Sequence, residues 1–360
     1  MTVLSISALI ALFLFLNTLA NVVLLRRARP FGQEIETPVA VIVPLRNEEE
    51  NINELFHSLQ KQTGLKNVKF HLVNDNSTDD TLLLAQRLVK SDSRFLLHEA
   101  PPLAPGWLGK PATLQYGLDH SESEIAIFID ADVRLESAAI ARAVSTLGSL
   151  KLNFISAYPL QIARTWSECL IQPLLQWSWM ATVPLRISER SKNPAFCVAN
   201  GQFFVVERSA LEKIEGLARI KSAVLDDIFL ARELVRAGLH GTVIDGSKIA
   251  QCRMYSSWGE LREGYGKSLH VAFGGILGKF TAISLFLMTG VIPLVAAMFG
   301  SKVGLATFLG VTVTRILSAM SCRGKVWLSI THPLSILLLV YLLLRSWSTR
   351  KSVQWKGRSI

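Results

Sequence analysis

Residues 125–133 read Ile-Ala-Ile-Phe-Ile-Asp-Ala-Asp-Val, an apolar run that ends abruptly in two carboxylates. A strand buried on both faces reads as a continuous apolar run, and parallel α/β sheets place their ligand sites just past the carboxyl ends of such strands. Asp130 and Asp132 therefore stand where a strand delivers them to a cleft. One residue apart, both can converge on a hard divalent cation, which prefers oxygen ligands and leaves positions open for substrate phosphates. Asp-x-Asp alone is a common string and reads as readily as two solvated aspartates, so the rest of the chain decides.

Outward from this strand the pattern alternates. Residues 39–44 and 68–74 are further buried strands, and 95–98 is a shorter one. Residues 45–51, with three consecutive glutamates, open a helix, because acidic side chains suit a first turn. Residues 75–80 combine strand end, turn and helix cap, and a helix follows to about Lys90. Residues 101–110 carry three prolines and two glycines and form a loop; 111–120 is helical. The β-α-β-α-β-α-β alternation predicts an α/β fold with a mainly parallel sheet. Beyond Asp132 come strands at 154–158, 202–206, 242–244 and 249–253, a helix from about 225 to 237, and a polar helical stretch at 257–270.

The composition explains the two ends. The chain has 360 residues, half of them hydrophobic, and its mean hydropathy is +0.34, too apolar for an ordinary soluble protein. Residues 3–25 are long enough to cross a bilayer. The basic residues follow this run and no Ala-x-Ala cleavage site is evident, so an uncleaved anchor is expected rather than a signal peptide. Three more apolar runs lie at 282–299, 303–320 and 326–344.

The net charge of +10 is the usual mark of nucleic-acid binding, but its location argues otherwise. Arg26, Arg27 and Arg29 follow the first apolar run; Arg345, Arg350, Lys351, Lys356 and Arg358 follow the last, with no acidic residue among them. Such clusters fit anionic lipid headgroups and the positive-inside rule. Three full C-terminal crossings would leave the basic tail outside. One run is therefore expected to be interfacial or re-entrant, and 303–320 is singled out because it carries Arg315, Gly304 and Gly310. The four cysteines are scattered, without the spacing of a zinc site or redox pair. The expected division is an anchor at 1–29, a cytosolic α/β domain at 30–270, a membrane region at 271–345 and a basic tail at 346–360.

Taken in order, Val43-Pro-Leu-Arg-Asn-Glu48, Val73-Asn-Asp-Asn-Ser-Thr-Asp79, Gly106-Trp-Leu-Gly-Lys110, Ile129-Asp-Ala-Asp132 and Asp226-Asp227 resemble the family 2 glycosyltransferases of GT-A fold. The resemblance covers most of the chain. It is closest to the membrane-anchored branch that glycosylates lipids, which includes ceramide, hopanoid-associated and carotenoid-ester glycosyltransferases; Trp355-Lys-Gly-Arg358 is similar to the ending of the carotenoid type.

The chemistry is also arguable from the residues. A nucleotide sugar leaves a diphosphate, whose developing charge a divalent cation (Mg or Mn) and basic groups stabilise. Asp132 is the better metal ligand, with Asp130 sharing the ion or holding the ribose. The resemblance implies that Pro44, Arg46, Asn47 and Glu48 pack around the nucleoside and that Asp75 bonds a uracil ring; the plainer reading of Asp75 is a helix cap. Lys110 contacts the diphosphate or is simply solvated.

Asp226 and Asp227 open a helix, which favours the ionised form. The family pattern maps the catalytic base to Asp227, although its first position, here Asp226, is more commonly Glu. Direct displacement would invert the anomeric carbon. Processive members carry Gln-x-x-Arg-Trp; here Arg262-Glu-Gly-Tyr265-Gly-Lys267 stands in the comparable place. This favours one sugar per acceptor over a polysaccharide synthase, with Arg262 near the leaving diphosphate. Trp177 and Trp179, in the apolar stretch 166–187, lie either on an interfacial helix that presents a lipid acceptor or in an ordinary core helix. Asn200 and Gly201 line the acceptor pocket or form a plain turn.

The expected activity is metal-dependent transfer of one sugar, from UDP-glucose in the first instance, to a hydroxyl or carboxyl of a membrane lipid. A catalytically silent membrane scaffold and a transporter are the competing classes; intact Asp130, Asp132 and Asp227 oppose the first, and the large α/β domain the second.

Overall fold

The structure, a computed structural model, describes residues 2–349 and the backbone of the paired strands Gln354–Trp355 and Arg358–Ser359. The side chains of the tail motif at 355–358 lie outside the described residues, as does most of the basic cluster after Arg345. The chain forms two compact units, both discontinuous: residues 26–160 with 187–253, and residues 1–25 with 161–186 and 254–360. The segment 30–270, read in the sequence as one domain, thus contributes to both.

The first unit is built on ten strands: β1 (Val39–Leu45), β2 (Val68–Asn74), β3 (Phe95–Glu99), β4 (Ile125–Ile129), β5 (Val133–Leu135), β6 (Phe154–Tyr158), β7 (Leu160–Gln161, at its boundary), β8 (Phe203–Glu207), β9 (Gly241–Asp245) and β10 (Ala250–Cys252). Seven form one sheet in the order β3-β2-β1-β4-β8-β6-β9. Within it β1, β2, β3 and β4 are mutually parallel, as are β6 and β9, while β8 runs antiparallel to both β4 and β6. The mainly parallel sheet expected from the apolar runs is therefore present. Because β1, β2 and β4 point the same way, the loops after them gather at one edge, with β1 as the switch point between β2 and β4.

The helices of this unit are α2 (Ile52–Gln60), α3 (Thr81–Leu88), α4 (Gly109–Asp119), α5 (Ala139–Leu150), α8 (Arg208–Glu212) and α9 (Asp226–Arg236); the other unit contributes α1 (Val3–Leu24) and α6 (Trp166–Thr182), and α7 (Leu185–Ser188) lies at the boundary. Ile42, Val73, Ala126, Phe128 and Phe204 from the sheet bury against Leu114 and Leu118 of α4 and Leu230 and Leu234 of α9. Each fully buried large apolar side chain contributes roughly 1.5–3 kcal/mol. Helix α4 comes close to β1 because residue 117 is glycine: a Cβ there would sit 2.5 Å from Ile42 Cγ2.

The helical unit adds α10 (Trp258–Ala272), α11 (Ile276–Gly290), α12 (Ile292–Met298), α13 (Lys302–Ser321) and α14 (His332–Ser348) to α1 and α6. Four stretches are long and apolar enough to cross a membrane: Val3–Leu24, Ile276–Met298, Lys302–Ser321 and Val326–Ser348. Their outward faces are apolar, with Leu9, Phe13, Leu309 and Leu337 exposed. The run expected to be irregular, 303–320, lies within the unbroken α13, and its Arg315 is buried inside the unit. The breaks fall elsewhere, at Val291 before Pro293 and in the 3-10 turn Val326–Thr331 that precedes α14.

The sequence leaves residues 166–187 open to an interfacial or a core reading, and most of the stretch is packed inside the helical unit. Helix α6 starts at a capping box formed by Thr165 and Glu168 and packs as a core helix of this unit, burying Trp177 and Trp179; Trp166 alone of its tryptophans is exposed. Asn21 of α1 clasps the end of α6. Its amide donates to the carbonyls of Met180 (2.8 Å) and Val183 (2.7 Å), and its Oδ1 accepts from the Leu185 N–H (3.1 Å).

Candidate active site

The site grows from the loops at the carboxyl edge of the sheet. The chain after β1 does not enter a helix at once, as its glutamates suggested; α2 begins only at Ile52. Asn47 adopts a left-handed conformation (φ 52°), one that asparagine tolerates better than most residues. This turn is stitched to the loop after β2. The Asn47 N–H donates to Ser77 Oγ (3.1 Å), Asn47 Oδ1 accepts from the Thr78 N–H (2.9 Å), and the Glu48 N–H donates to Thr81 Oγ1 (2.7 Å). Tertiary hydrogen bonds thus override the helical propensity of the acidic run.

Asp75 is buried at the end of β2 and does not cap α3; Asp79 Oδ1 accepts from the Thr81 N–H there instead. The Arg46 guanidinium donates to the Asp75 carbonyl (2.7 Å) and lies 3.7 Å from its carboxylate. Pro44 sits in β1, in register with Val73. Pro44, Arg46, Asn47, Glu48 and Asp75 thus form one continuous rim.

Asp130 and Asp132 occupy the turn between β4 and β5. Arg134, which sequence reasoning did not single out, braces this turn: its Nη1 donates to the carbonyls of Ala131 (2.8 Å) and Val133 (3.0 Å), and its Nε pairs with Glu54 (3.0 Å). Lys110, in the first turn of α4, is not a solvated lysine. Its ammonium lies 2.6 Å from Asp130 Oδ1 and 3.5 Å from Asp226 Oδ2. Burial works against the charge, but Asp130 and Asp226 outweigh it and hold the ammonium above the usual lysine range.

Asp226 and Asp227 form the first turn of α9. Asp227 Oδ2 accepts from the Gly201 N–H (2.8 Å) and Oδ1 from the Ile228 N–H (2.7 Å). Burial, then the charge of Asp226, push its carboxyl up to about 6, against the opposing pull of Lys110 and the two N–H donors. Gly201 leaves little room, since a Cβ there would lie 3.2 Å from both Asp227 Cβ and Lys110 Nζ and would press on both.

Asn200 is buried, and its polar groups are engaged by its neighbours. Its N–H donates to Ser156 Oγ (2.8 Å), its carbonyl accepts from the same hydroxyl (3.0 Å), and its Oδ1 accepts from the Gln202 N–H (2.9 Å). The Gln202 carbonyl in turn accepts from the Asp130 N–H (3.3 Å). Residues 200–202 thus tie the two carboxylate pairs together, a role that no string in the sequence announces.

Asp132 tests whether a metal fits. Its Oδ1 is buried and has no hydrogen-bond partner among the described residues. Burial first, then Asp130, push the carboxyl up to about 7, while a hydrogen bond from the Cys252 thiol opposes them. Burial also pushes that thiol up, so it stays protonated and able to donate. No set of three histidine, cysteine, aspartate or glutamate ligands occurs among the described residues. A lone hard oxygen beside Asp130 fits a cation that draws most of its ligands from a substrate diphosphate and water.

Arg262, Trp177 and Trp179 belong to the helical unit, not to this one. Arg262 lies on α10, where its carbonyl accepts from Arg345 Nη1 (3.3 Å); Trp177 and Trp179 are buried within that unit.

Comparison with known proteins bears on the fold and the family. Residues 40–215 match the family described as Glycosyl transferase family 2. A 4,4'-diaponeurosporenoate glycosyltransferase of Staphylococcus aureus strain USA300 is 24% identical over 337 residues, covering 89% of this chain and 87% of that protein; its counterpart in strain MRSA252 is 25% identical over the same length. Among solved structures, a mannosyltransferase from Pyrobaculum calidifontis in complex with GDP-Man and Mn2+ superposes with a TM-score of 0.56 at 17% identity, covering 95% of this chain and 99% of that one. With the parallel-sheet architecture and the paired carboxylates, these matches identify the chain as a glycosyltransferase carrying a family 2 domain of GT-A fold.

Proposed function

We propose that the protein transfers a single hexose, with inversion, from a nucleotide sugar to a membrane lipid, and that UDP-glucose is the donor. One observation carries this reading. Lys110 bridges Asp130, on the donor side, to Asp226, while the adjoining Asp227 is held by the Gly201 N–H. A diphosphate binding at Asp130 and Asp132 then lies beside a cation, and a base lies beyond it. The S. aureus relatives, named for an apolar carotenoid acid, and the four long apolar helices favour a lipid acceptor. The catalytic unit lies on the cytosolic side, following Arg26, Arg27 and Arg29.

In this reading the rim of Arg46, Asn47 and Asp75 holds the nucleoside, and Arg262 is a further candidate for the diphosphate. Asp132 and Asp130 would hold a Mg or Mn ion, which supplies Lewis-acid stabilisation of the leaving diphosphate. Lys110 offsets the same charge. Asp227 takes the proton of an acceptor hydroxyl as its oxygen bonds to the anomeric carbon and the bond to the diphosphate breaks. No covalent sugar–enzyme intermediate is needed.

The test is to incubate membranes containing the protein with a panel of labelled nucleotide sugars and to identify the labelled lipid by mass spectrometry. One labelled glycolipid is expected from UDP-glucose, and none from the Asp132→Asn variant. Label released only as free sugar, or normal transfer by Asp132→Asn in the presence of a chelator, would overturn the reading.

A further inference from the structure

Inside the helical unit, Arg315 of α13 and His332 of α14 face the same indole. The Arg315 guanidinium carbon lies 5.9 Å from the centre of the Trp177 ring, and the His332 ring packs edge-on against it at 4.8 Å. The indole is fixed by its own N–H, which donates to Thr314 Oγ1 at 2.8 Å. All three side chains are enclosed, with 2%, 1% and 5% of their surface exposed. Yet Arg315 Nη1, both ring nitrogens of His332 and Ser318 Oγ have no hydrogen-bond partner among the described residues.

An enclosed guanidinium needs an anion, because an unpaired buried charge is costly. This unit has none to give. Its only acidic residues are Glu168, Glu260 and Glu263. Glu168 closes the cap of α6, Glu260 bonds Ser256, and Glu263 is exposed on α10. No Asp or Glu occurs in the chain after Glu263. An ionisable residue inside an apolar helical unit, with an indole beside it but no anionic partner among the described residues, marks a ligand site by default.

We propose that Arg315, His332 and Trp177 form an internal binding site for the carboxylate head of a membrane amphiphile. One guanidinium beside an imidazole balances one negative charge, and the guanidinium fork matches the two oxygens of a planar carboxylate. The imidazole and Ser318 supply further hydrogen-bonding groups. A phosphodiester head is tetrahedral and carries two ester arms, so it is the bulkier group to bring to these enclosed side chains. The outer faces of α13 and α14 are apolar, with Leu309, Val313, Leu334 and Leu337 exposed, so an alkyl chain can lie along them.

The experiment measures equilibrium binding of labelled oleate to the purified full chain in a nonionic detergent, with oleyl alcohol, acetate and phosphatidylglycerol as competitors. Saturable oleate binding is expected, displaced by none of the three at equal concentration. Arg315→Gln should weaken it by about tenfold or more, and Arg315→Lys by less, since it keeps the charge and loses the fork. His332→Phe, which keeps a ring against Trp177, should weaken binding as well and remains informative if Arg315→Gln does not fold. No saturable binding, or displacement by oleyl alcohol as effective as by unlabelled oleate, overturns the proposal. Equal displacement by acetate overturns the lipid source in favour of a free carboxylate, and displacement by phosphatidylglycerol overturns the choice of head group.

Discussion

Lys110 holds together two carboxylates that would otherwise repel each other across the site, and it lowers the Asp227 carboxyl from beyond them. The Asp227 carboxyl titrates near 6, raised by burial and by Asp226. A general base works only when ionised, so the rate should rise with pH through about 6 and then level off. Asp227→Asn should lower turnover roughly 100-fold or more, with donor affinity near normal and the acid limb gone. Measuring turnover and donor binding across pH checks both, and an equal loss of donor affinity would assign Asp227 to the nucleotide sugar instead. The same profile separates two acceptor classes: a carboxyl acceptor is already ionised at neutral pH and needs little help from a base. Replacement of Lys110 by Gln removes the charge that opposes Asp226. The acid limb of kcat/KM should then move upward by about one pH unit, while a limb that stays in place would mean that Lys110 serves the diphosphate alone.

At the scale of the element, the strands were legible because burial on both faces leaves an unbroken apolar signature, as in residues 39–43 and 125–129. Asp130, Asp132, Asp226 and Asp227 were legible because they stand at strand and helix ends. The loop at 46–51 was not, because a run of glutamates reads as a first helical turn and only Ser77, Thr78 and Thr81, some thirty residues away, hold it open. The braces Ser156, Gln202 and Cys252 carry no motif, and their function follows from their places within β6, just before β8 and at the end of β10. Nor does the apolar pattern of α6 say what holds it in place; the clasp at Asn21 does, from a helix far away in the sequence. Asn21 is buried and serves two carbonyls and one N–H at the end of α6. Asn21→Leu should therefore cost roughly 1–3 kcal/mol, the penalty for stranding buried polar groups. Thermal unfolding in detergent should show a midpoint several degrees lower, and an unchanged midpoint would remove the clasp from the account.

For the molecule as a whole, the side on which the tail emerges follows from which runs cross. Helix α10 begins shortly after the catalytic unit ends at Arg253 and carries Glu260, Arg262, Glu263, Lys267 and His270, too polar to enter a bilayer. The end of α14 is fastened to it: Ser346 Oγ donates to the Gly266 carbonyl (2.6 Å) and accepts from the His270 N–H (3.0 Å), and Arg345 Nη1 donates to the Arg262 carbonyl. Residues 272 and 346 therefore lie on one side, and the number of crossings between them is even. The run 303–320, first singled out as the exception, is the unbroken α13, and its charged residue is turned inward. Arg323 and Lys325 follow α13 and favour the cytosol, whereas the turn at Gly300 before it carries no basic residue until Lys302. The remaining run, Val326–Ser348, is the one that is not α-helical from its start: the six-residue 3-10 turn Val326–Thr331 precedes the 17 residues of α14, which marks it as the run that turns back. The expected topology has Ile276–Met298 crossing outward, α13 crossing back, and Val326–Ser348 entering and leaving on the cytosolic side. Single cysteines placed at Ser301 and Thr349 in a chain cleared of its own four cysteines test this with an impermeant thiol reagent in intact cells. Ser301→Cys should label and Thr349→Cys should not, until the cells are opened. External labelling at Thr349 would instead require three complete C-terminal crossings and would place the basic tail outside.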